Sequence, residues 1–258
     1  MDTNHTIHQY KEALRRLWGN YQMVVSANPA SRKWGVAIII SRDVAPNDLV
    51  PNHMIHGRVL GVEVAVHADV RLPKVQVIVV YGSNVPAERK PIQHSLEKTL
   101  KQPTLLMGDW NATTLNTDTT CLQTNEWTWL SRAERDGRLT DPYRQECLRQ
   151  GGLPRHTRAR RYNGTSYIDK IMLTVDATHL PKTTTAEVME VTTNNQCQGC
   201  PGCPHHMSDH DAVRLAFHEW STAKPEQTLK CSWWSSKQVR VFQRMMKTYV
   251  ERWAVPRL

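Results

Sequence analysis

Four short polar groups follow one another in fixed order along this 258-residue chain: Tyr81-Gly82-Ser83-Asn84, Gly108-Asp109-Trp110-Asn111, Tyr167-Ile168-Asp169 and Ser208-Asp209-His210. Each lies in, or directly after, a run that reads as a β-strand. Singly, each has an ordinary structural explanation, since Gly-Asp after a strand makes a turn and Ser-Asp often caps a helix. Together they supply carboxylates for a cation, a histidine for proton transfer or phosphate contact, and neutral donors for charge developing on phosphorus-bound oxygens. Phosphodiester hydrolysis requires that combination.

The elements that must position these groups can be read from apolar periodicity. Ile7, Tyr10, Leu14 and Leu17 recur at helical spacing before Gly19, and Tyr21 to Val25 then reads as a strand. Extended segments follow at Val36 to Ile40, Val59 to Val66 and Val75 to Tyr81, rich in β-branched residues and separated by polar or Pro-containing loops. Strands apolar on both faces imply a sheet covered on both sides. Pro86 to Gln102 reads as a helix, Thr104 to Met107 as a short buried strand, and Glu126 to Arg138 as helical turns carrying Trp127 and Leu130. Two more strands are expected at Tyr167 to Leu173 and Val213 to Phe217. This alternation predicts an α/β sandwich with its working loops at strand ends.

The composition changes at Trp220. The stretch STAKPEQTLK reads as a linker, after which Ser235 or Ser236 would cap a helix with Val239, Phe242, Met246, Tyr249 and Trp253 on one face. Arg240, Arg244, Lys247 and Arg252 lie elsewhere on that helix, as a solvated basic face or a nucleic-acid contact. The expected division is therefore one domain over residues 1–219 and a linker with a basic helical tail over 220–258.

Lys and Arg outnumber Asp and Glu by 33 to 24, a formal charge of +9 that favours a polyanionic partner. No apolar run approaches the roughly 18 residues of a membrane span, and the first sixteen residues carry no hydrophobic signal segment, so an intracellular protein with no membrane partner is expected. The six cysteines would then be reduced, and their spacing is to be read for metals before disulfides.

The segments GDWN, SYIDKIML and SDHDAV, with YGSN before them, resemble the last motifs of the endonuclease/exonuclease/phosphatase superfamily over about Tyr21 to Phe217. The resemblance implies a four-layer α/β sandwich. It implies that Asp109 activates or positions the attacking water, that Asn111 holds the phosphate or nucleophile, and that His210, oriented by Asp169, contacts the scissile phosphate or handles a proton. Tyr81 and Asn84 would line the phosphate pocket, Ser208 would stabilise its loop, and Asp209 would lie at a Mg²⁺ or Mn²⁺ ion. Strand-end packing and a turn are the alternative reading for Ser83 and Asn84.

Within that superfamily, WGVAIII, GDWNATTLNTD, LTDPYR and SYIDKIMLT resemble the apurinic-type endonuclease of non-LTR, LINE-type retrotransposons. The tail suits the region that joins such an endonuclease to a reverse transcriptase in a parent polyprotein. The implied activity is nicking one strand of duplex DNA, with a nuclear location. Arg158, Arg160 and Arg161 are available for phosphate contacts or form a solvated basic loop.

Two departures from the family pattern stand out. Family members begin with strands that supply an Asn or Asp and then a metal-binding Glu, upstream of a helix like that at Ile7. Met1 arrives too late for these, and Glu12 sits in a helical pattern instead of closing a strand. The expectation is a sandwich missing its first strands, with activity lowered or lost. The second departure is the loop carrying Cys197, Cys200, Cys203 and His205 just before Ser208, whose three thiols and imidazole form a donor set for a structural Zn²⁺. A reduced cysteine loop is the alternative. Against the endonuclease stand two other functions: a non-catalytic nucleic-acid-binding remnant, and a phosphatase of small phosphoesters.

Overall fold

A computed structural model describes residues 20–28, 35–42, 45, 47–65, 74–100, 102–120, 125–160, 164–174, 184–189, 210, 212–217 and 230–231. In chain order its elements are β1 (Tyr21–Ala27), β2 (Gly35–Ser41), β3 (Pro51–Ile55), β4 (Val59–Val64), β5 (Val75–Tyr81), α1 (Pro86–Thr99), β6 (Thr104–Asp109) and a 3-10 turn (Asn116–Asp118). These are followed by α2 (Thr128–Arg135), β7 (Leu139–Thr140), α3 (Pro142–Arg149), β8 (Arg158–Arg160), β9 (Gly164–Ser166), β10 (Asp169–Thr174), β11 (Thr184–Met189), β12 (Ala212–Phe217) and β13 (Lys230–Cys231).

The central sheet has six strands in the order β3-β4-β5-β6-β10-β7. Only β5 and β6 run parallel, joined by α1, which opens with Pro86 where a missing N–H leaves no hydrogen bond unmade. Because side chains alternate along a strand, each of the inner strands β4, β5, β6 and β10 feeds two cores. On one face Val59, Ile78, Val80, Leu106 and Met172 pack with Ile92 and Leu96 of α1, with Leu130 and Ala133 of α2, and with Trp110 and Trp127. On the other face Leu60, Val62, Val64 and Val79 meet Val24, Val36 and Ile38 of the β1-β2 pair. Further along that face Val75, Leu105 and Ile171 meet Val213 and Leu215 of β12.

The described residues thus form three layers, α1 with α2, the six-stranded sheet, and a second β layer made of β1-β2 and β11-β12-β13, with α3 packed against β11 and β10. The two-sided burial explains the near-continuous apolar runs of β4 and β5. The expected helix at Ile7 to Leu17, the cysteine loop with Cys197, Cys200, Cys203 and His205, and the tail helix all fall outside the described residues. No described helix is long and apolar enough to cross a membrane.

Several elements were not expected. α3 forms where the sequence offered only the LTDPYR motif: the Asp141 carboxylate accepts the Arg144 backbone N–H at 3.0 Å, and Pro142 occupies the first turn. The β8-β9 hairpin has no apolar alternation to betray it. Its hydrogen bonds come from polar residues, with Thr119 and Thr120 bound to the Thr165 carbonyl and hydroxyl. β3 and β11 were likewise not anticipated, and β6 runs two residues further than expected, to Asp109 itself.

Candidate active site

Strand register assembles the site. Tyr81 at the end of β5 pairs with Asp109 at the end of β6, and Asp109 pairs with Asp169 at the start of β10. Residues paired across neighbouring strands project from the same face, so three residues 28 and 60 positions apart in sequence share one row at the sheet rim. Past Asp109 the chain turns sharply. Asn111 adopts φ 49°, its backbone N–H donates to Asp109 Oδ1 at 2.8 Å, and its side-chain amide donates to Asp109 Oδ2 at 2.9 Å. Asparagine is one of the few residues that accepts this backbone region without a large steric penalty.

His210 reaches the row from the second β layer, and its Nδ1 lies 2.8 Å from Asp169 Oδ2. An ionised carboxylate only accepts, so Nδ1 carries the proton in this contact, and the ring is held in one orientation with Nε2 directed away from Asp169. Asp109, Asp169 and His210 each contribute a ligand atom, and those atoms all lie within 4.8 Å of one another. Burial, reinforced by the charge of Asp169, raises the Asp109 carboxyl to about 6, against the opposing pull of His210, the Asn111 N–H and Arg158. Two carboxylates held this close, one of them resisting ionisation, form a place where a divalent cation would relieve repulsion. Oxygen donors of this kind suit Mg²⁺ or Mn²⁺.

That electrostatic strain is measurable. In metal-free protein, NMR should show Asp109 protonating near pH 6, and saturating Mg²⁺ should move the midpoint downward because a nearby cation favours the charged form. A midpoint near the ordinary aspartate value, unmoved by Mg²⁺, would contradict this geometry.

No protein-family model matches the sequence, and no curated protein does. Solved structures do match. An AP endonuclease from Archaeoglobus fulgidus aligns at 17% identity and TM-score 0.52, over 80% of this chain and 82% of that one. An endonuclease/exonuclease/phosphatase family protein from Bacteroides thetaiotaomicron aligns at 13% identity and TM-score 0.52, over 80% and 78%. A 3′ phosphatase from Neisseria, solved with its product DNA hairpin, aligns at 20% identity and TM-score 0.51, over 80% and 82%.

The fold is that of the endonuclease/exonuclease/phosphatase superfamily.

Within this endonuclease/exonuclease/phosphatase fold, two glycines let the site loops approach. A Cβ on Gly82 would sit 2.0 Å from the Trp110 carbonyl oxygen, and one on Gly108, whose φ is +139°, would sit 2.1 Å from the Val80 carbonyl oxygen. Both contacts are with backbone, which cannot swing aside, so YGSN and GDWN need glycine where they touch. Trp110 is fully buried and donates its indole N–H to the Lys170 carbonyl at 3.3 Å, and its own backbone N–H donates to the Ile168 carbonyl.

Ser83 is buried, donates to Glu88 Oε2 at 2.6 Å and accepts the Val85 N–H. Asn84 is exposed and accepts a long 3.4 Å bond from Asn125, whose amide also donates to the Asn111 carbonyl at 2.7 Å. Asn84 is therefore tied to the Asp109 turn through one intermediate. Asp209 and Ser208 lie outside the described residues.

Sequence reasoning missed the residues that hold these loops. Arg89 of α1, buried, donates to the Ser83, Asn111 and Glu126 carbonyls and to Asn125, and its guanidinium lies over the Trp127 ring. One side chain thus joins three loops. Arg58 holds the other flank, donating to the Gly82 carbonyl at 2.8 Å and to Glu88 at 3.0 Å. Below the rim, Asp118 receives Lys170 Nζ at 3.0 Å and Arg144, while the Tyr167 hydroxyl donates to Asp141 at 2.9 Å. GDWNATTLNTD, LTDPYR and SYIDKIMLT, singled out as motifs, meet in this buried network.

Proposed function

We propose that this chain is a divalent-metal-dependent phosphodiesterase that nicks one strand of duplex DNA. The observation that carries the reading is the convergence of Asp109, Asp169 and His210, with Asn111 bound to Asp109, at the rim of an endonuclease/exonuclease/phosphatase-type sheet. The formal charge of +9 fits a polyanionic substrate.

Asp109 accepts the proton of the water that attacks phosphorus, and the Asn111 amide keeps its carboxylate turned into the site. Asp169 fixes the Nδ1 proton of His210 and stabilises the imidazolium, so that Nε2 serves the phosphate oxygen or the departing group. Tyr81, in the same row as Asp109, and Asn84, tied to the Asn111 loop, line the phosphate side of the site. A Mg²⁺ or Mn²⁺ ion held by Asp169 and Asp109, and by Asp209 as the sequence motif implies, would neutralise charge on the phosphate.

A retrotransposon origin rests on the likeness of WGVAIII, GDWNATTLNTD, LTDPYR and SYIDKIMLT to LINE-type endonucleases. A nuclear place of action follows from the DNA substrate, and exclusion of the tagged chain from nuclei would overturn it. The test of the activity is conversion of supercoiled plasmid to the nicked form with Mg²⁺ or Mn²⁺, and its abolition by EDTA. Metal-independent, salt-dependent DNA binding with no nicking would instead make the chain a binding module. Turnover of a small phosphoester without action on DNA would make it a phosphatase.

A further inference from the structure

Arg158, the first residue of the polar β8-β9 hairpin, touches the Asp109 cluster. Its backbone is fixed on two sides: it pairs with Ser166 in the hairpin and forms an isolated bridge with His210. The residue before it is anchored as well. Thr157 is buried, and its hydroxyl accepts the backbone N–H groups of Ile168 at 3.3 Å and Asp169 at 3.1 Å. The base of the Arg158 side chain is thereby locked to the two residues that form the Asp169–His210 pair. From there the guanidinium reaches to 3.5 Å from Asn111 Oδ1, on the far side of the amide that holds Asp109.

This placement sets a permanent positive charge beside the carboxylate that would receive the water proton. Two carboxylates at the cluster would repel a phosphodiester, and a guanidinium beside them offsets that repulsion at every working pH, whereas an imidazole does so only when protonated. Charge builds on the non-bridging oxygens as water adds to phosphorus, and a planar guanidinium matches two such oxygens with two parallel N–H donors. A donor already anchored at its backbone loses little freedom when it engages.

We propose that Arg158 is a catalytic residue that binds the non-bridging oxygens of the scissile DNA phosphate, an assignment that rests on the phosphodiesterase reading above. It differs from the roles of Asp109 and His210, because it handles no proton. It also differs from a general DNA tether, because its effect falls on the chemical step as well as on binding.

The test uses the full chain and its Arg158→Ala and Arg158→Lys variants, checked for an unchanged thermal midpoint. Two quantities are measured: metal-dependent nicking, separated into kcat and KM, and binding of a labelled 20-base-pair DNA duplex in EDTA at several NaCl concentrations. Arg158→Ala should lower kcat by about 10²-fold, the scale of losing one transition-state donor. It should also shallow the slope of log affinity against log salt by about 0.9, the value of one phosphate contact. Arg158→Lys should restore the slope but only part of kcat, since an ammonium supplies the charge without the fork.

Several outcomes overturn the assignment. A lost slope with intact kcat places Arg158 on a flanking phosphate. A lost kcat with an intact slope makes it a support for His210. No change in either removes it from the site. If the wild-type chain nicks nothing yet Arg158→Ala still loses slope, the phosphate contact stands and the phosphodiesterase reading falls. If the wild type nicks and Arg158→Ala matches it in both quantities, the reading stands and this assignment falls.

Discussion

Replacing Asp109 by asparagine should abolish nicking while leaving the protein as stable as before, or more so. The loss follows from proton transfer: an amide has no basic oxygen for the water proton, and removal of a general base typically costs about 10²- to 10⁴-fold, roughly 3 to 5 kcal/mol of activation free energy. Geometry adds to the loss. Asp109 accepts two bonds from Asn111, one from the backbone and one from the side chain, whereas an asparagine offers one oxygen and turns an N–H toward the other donor. Asn111 would have to flip its amide, withdrawing the oxygen that Arg158 approaches.

The stability half of this expectation follows from the direction of the Asp109 shift. Its carboxyl is raised from 3.8 to about 6, with burial first and the Asp169 charge second as causes. A carboxyl raised on folding contributes stability that is complete below the unfolded value and is lost as pH rises through the folded one. The metal-free wild type should therefore lose stability between about pH 4 and pH 6 relative to Asp109→Asn, and should stay below it at neutral pH. Paired thermal melts from pH 3.5 to 8 in EDTA, alongside plasmid nicking in Mg²⁺, read both halves. A variant that nicks at wild-type rate removes Asp109 from the chemistry. One that nicks nothing but melts far lower shows that the carboxylate serves the fold.

This divergence between stability and activity also marks where the sequence was legible. The rim residues could be found because turn-forming and proton-transferring residue types recur after apolar strands, and the register of β5, β6 and β10 then brings Tyr81, Asp109 and Asp169 into line. The β4 and β5 runs could be found because both of their faces are covered. What lies beneath the rim could not be found, since Asp118, Asp141, Arg144 and Lys170 are charged residues in loops or at element ends, where charge ordinarily means solvent. Nothing in LNTDTT or SYIDK distinguishes an exposed Asp or Lys from a buried pair. The β8-β9 hairpin was missed for a related reason: its strands read RAR and GTS, with no apolar run, so no alternation reveals it.

The largest effect on folding is expected at Asp118. Its carboxylate is almost fully buried and meets two cations, Lys170, which has no exposed side-chain surface, at 3.0 Å, and Arg144 at 2.8 Å. It also accepts the Thr114 N–H at 2.9 Å. Burial alone would raise this carboxyl, but Lys170 and Arg144 outweigh it and hold it below the ordinary range. Burial likewise pushes Lys170 down despite Asp118 and Asp141. Asp118→Ala would take the direct partner from buried Lys170 and one of the partners from Arg144, which keeps Glu134 at 2.7 Å, and breaking a buried pair in this way costs about 3 to 5 kcal/mol. Since single domains are stable by only about 5 to 15 kcal/mol, that is a large share of the margin. The sign with pH is opposite to that of Asp109: a depressed carboxyl contributes stability present above its unfolded value and lost as pH falls through the folded one, so the Asp118 contribution should vanish in acid. Replacing both partners separates pairing from packing. The double variant Asp118→Leu with Lys170→Met removes both members of the Asp118–Lys170 pair, leaving Arg144 to Glu134 at 2.7 Å, and exchanging a whole buried pair is often neutral or stabilising. Urea melts of the two single variants and the double should therefore be strongly non-additive, with the double more stable than Asp118→Leu alone. Additive losses would mean that Asp118 and Lys170 act independently and that the ion pair does not hold β10 beneath the Asp109 turn.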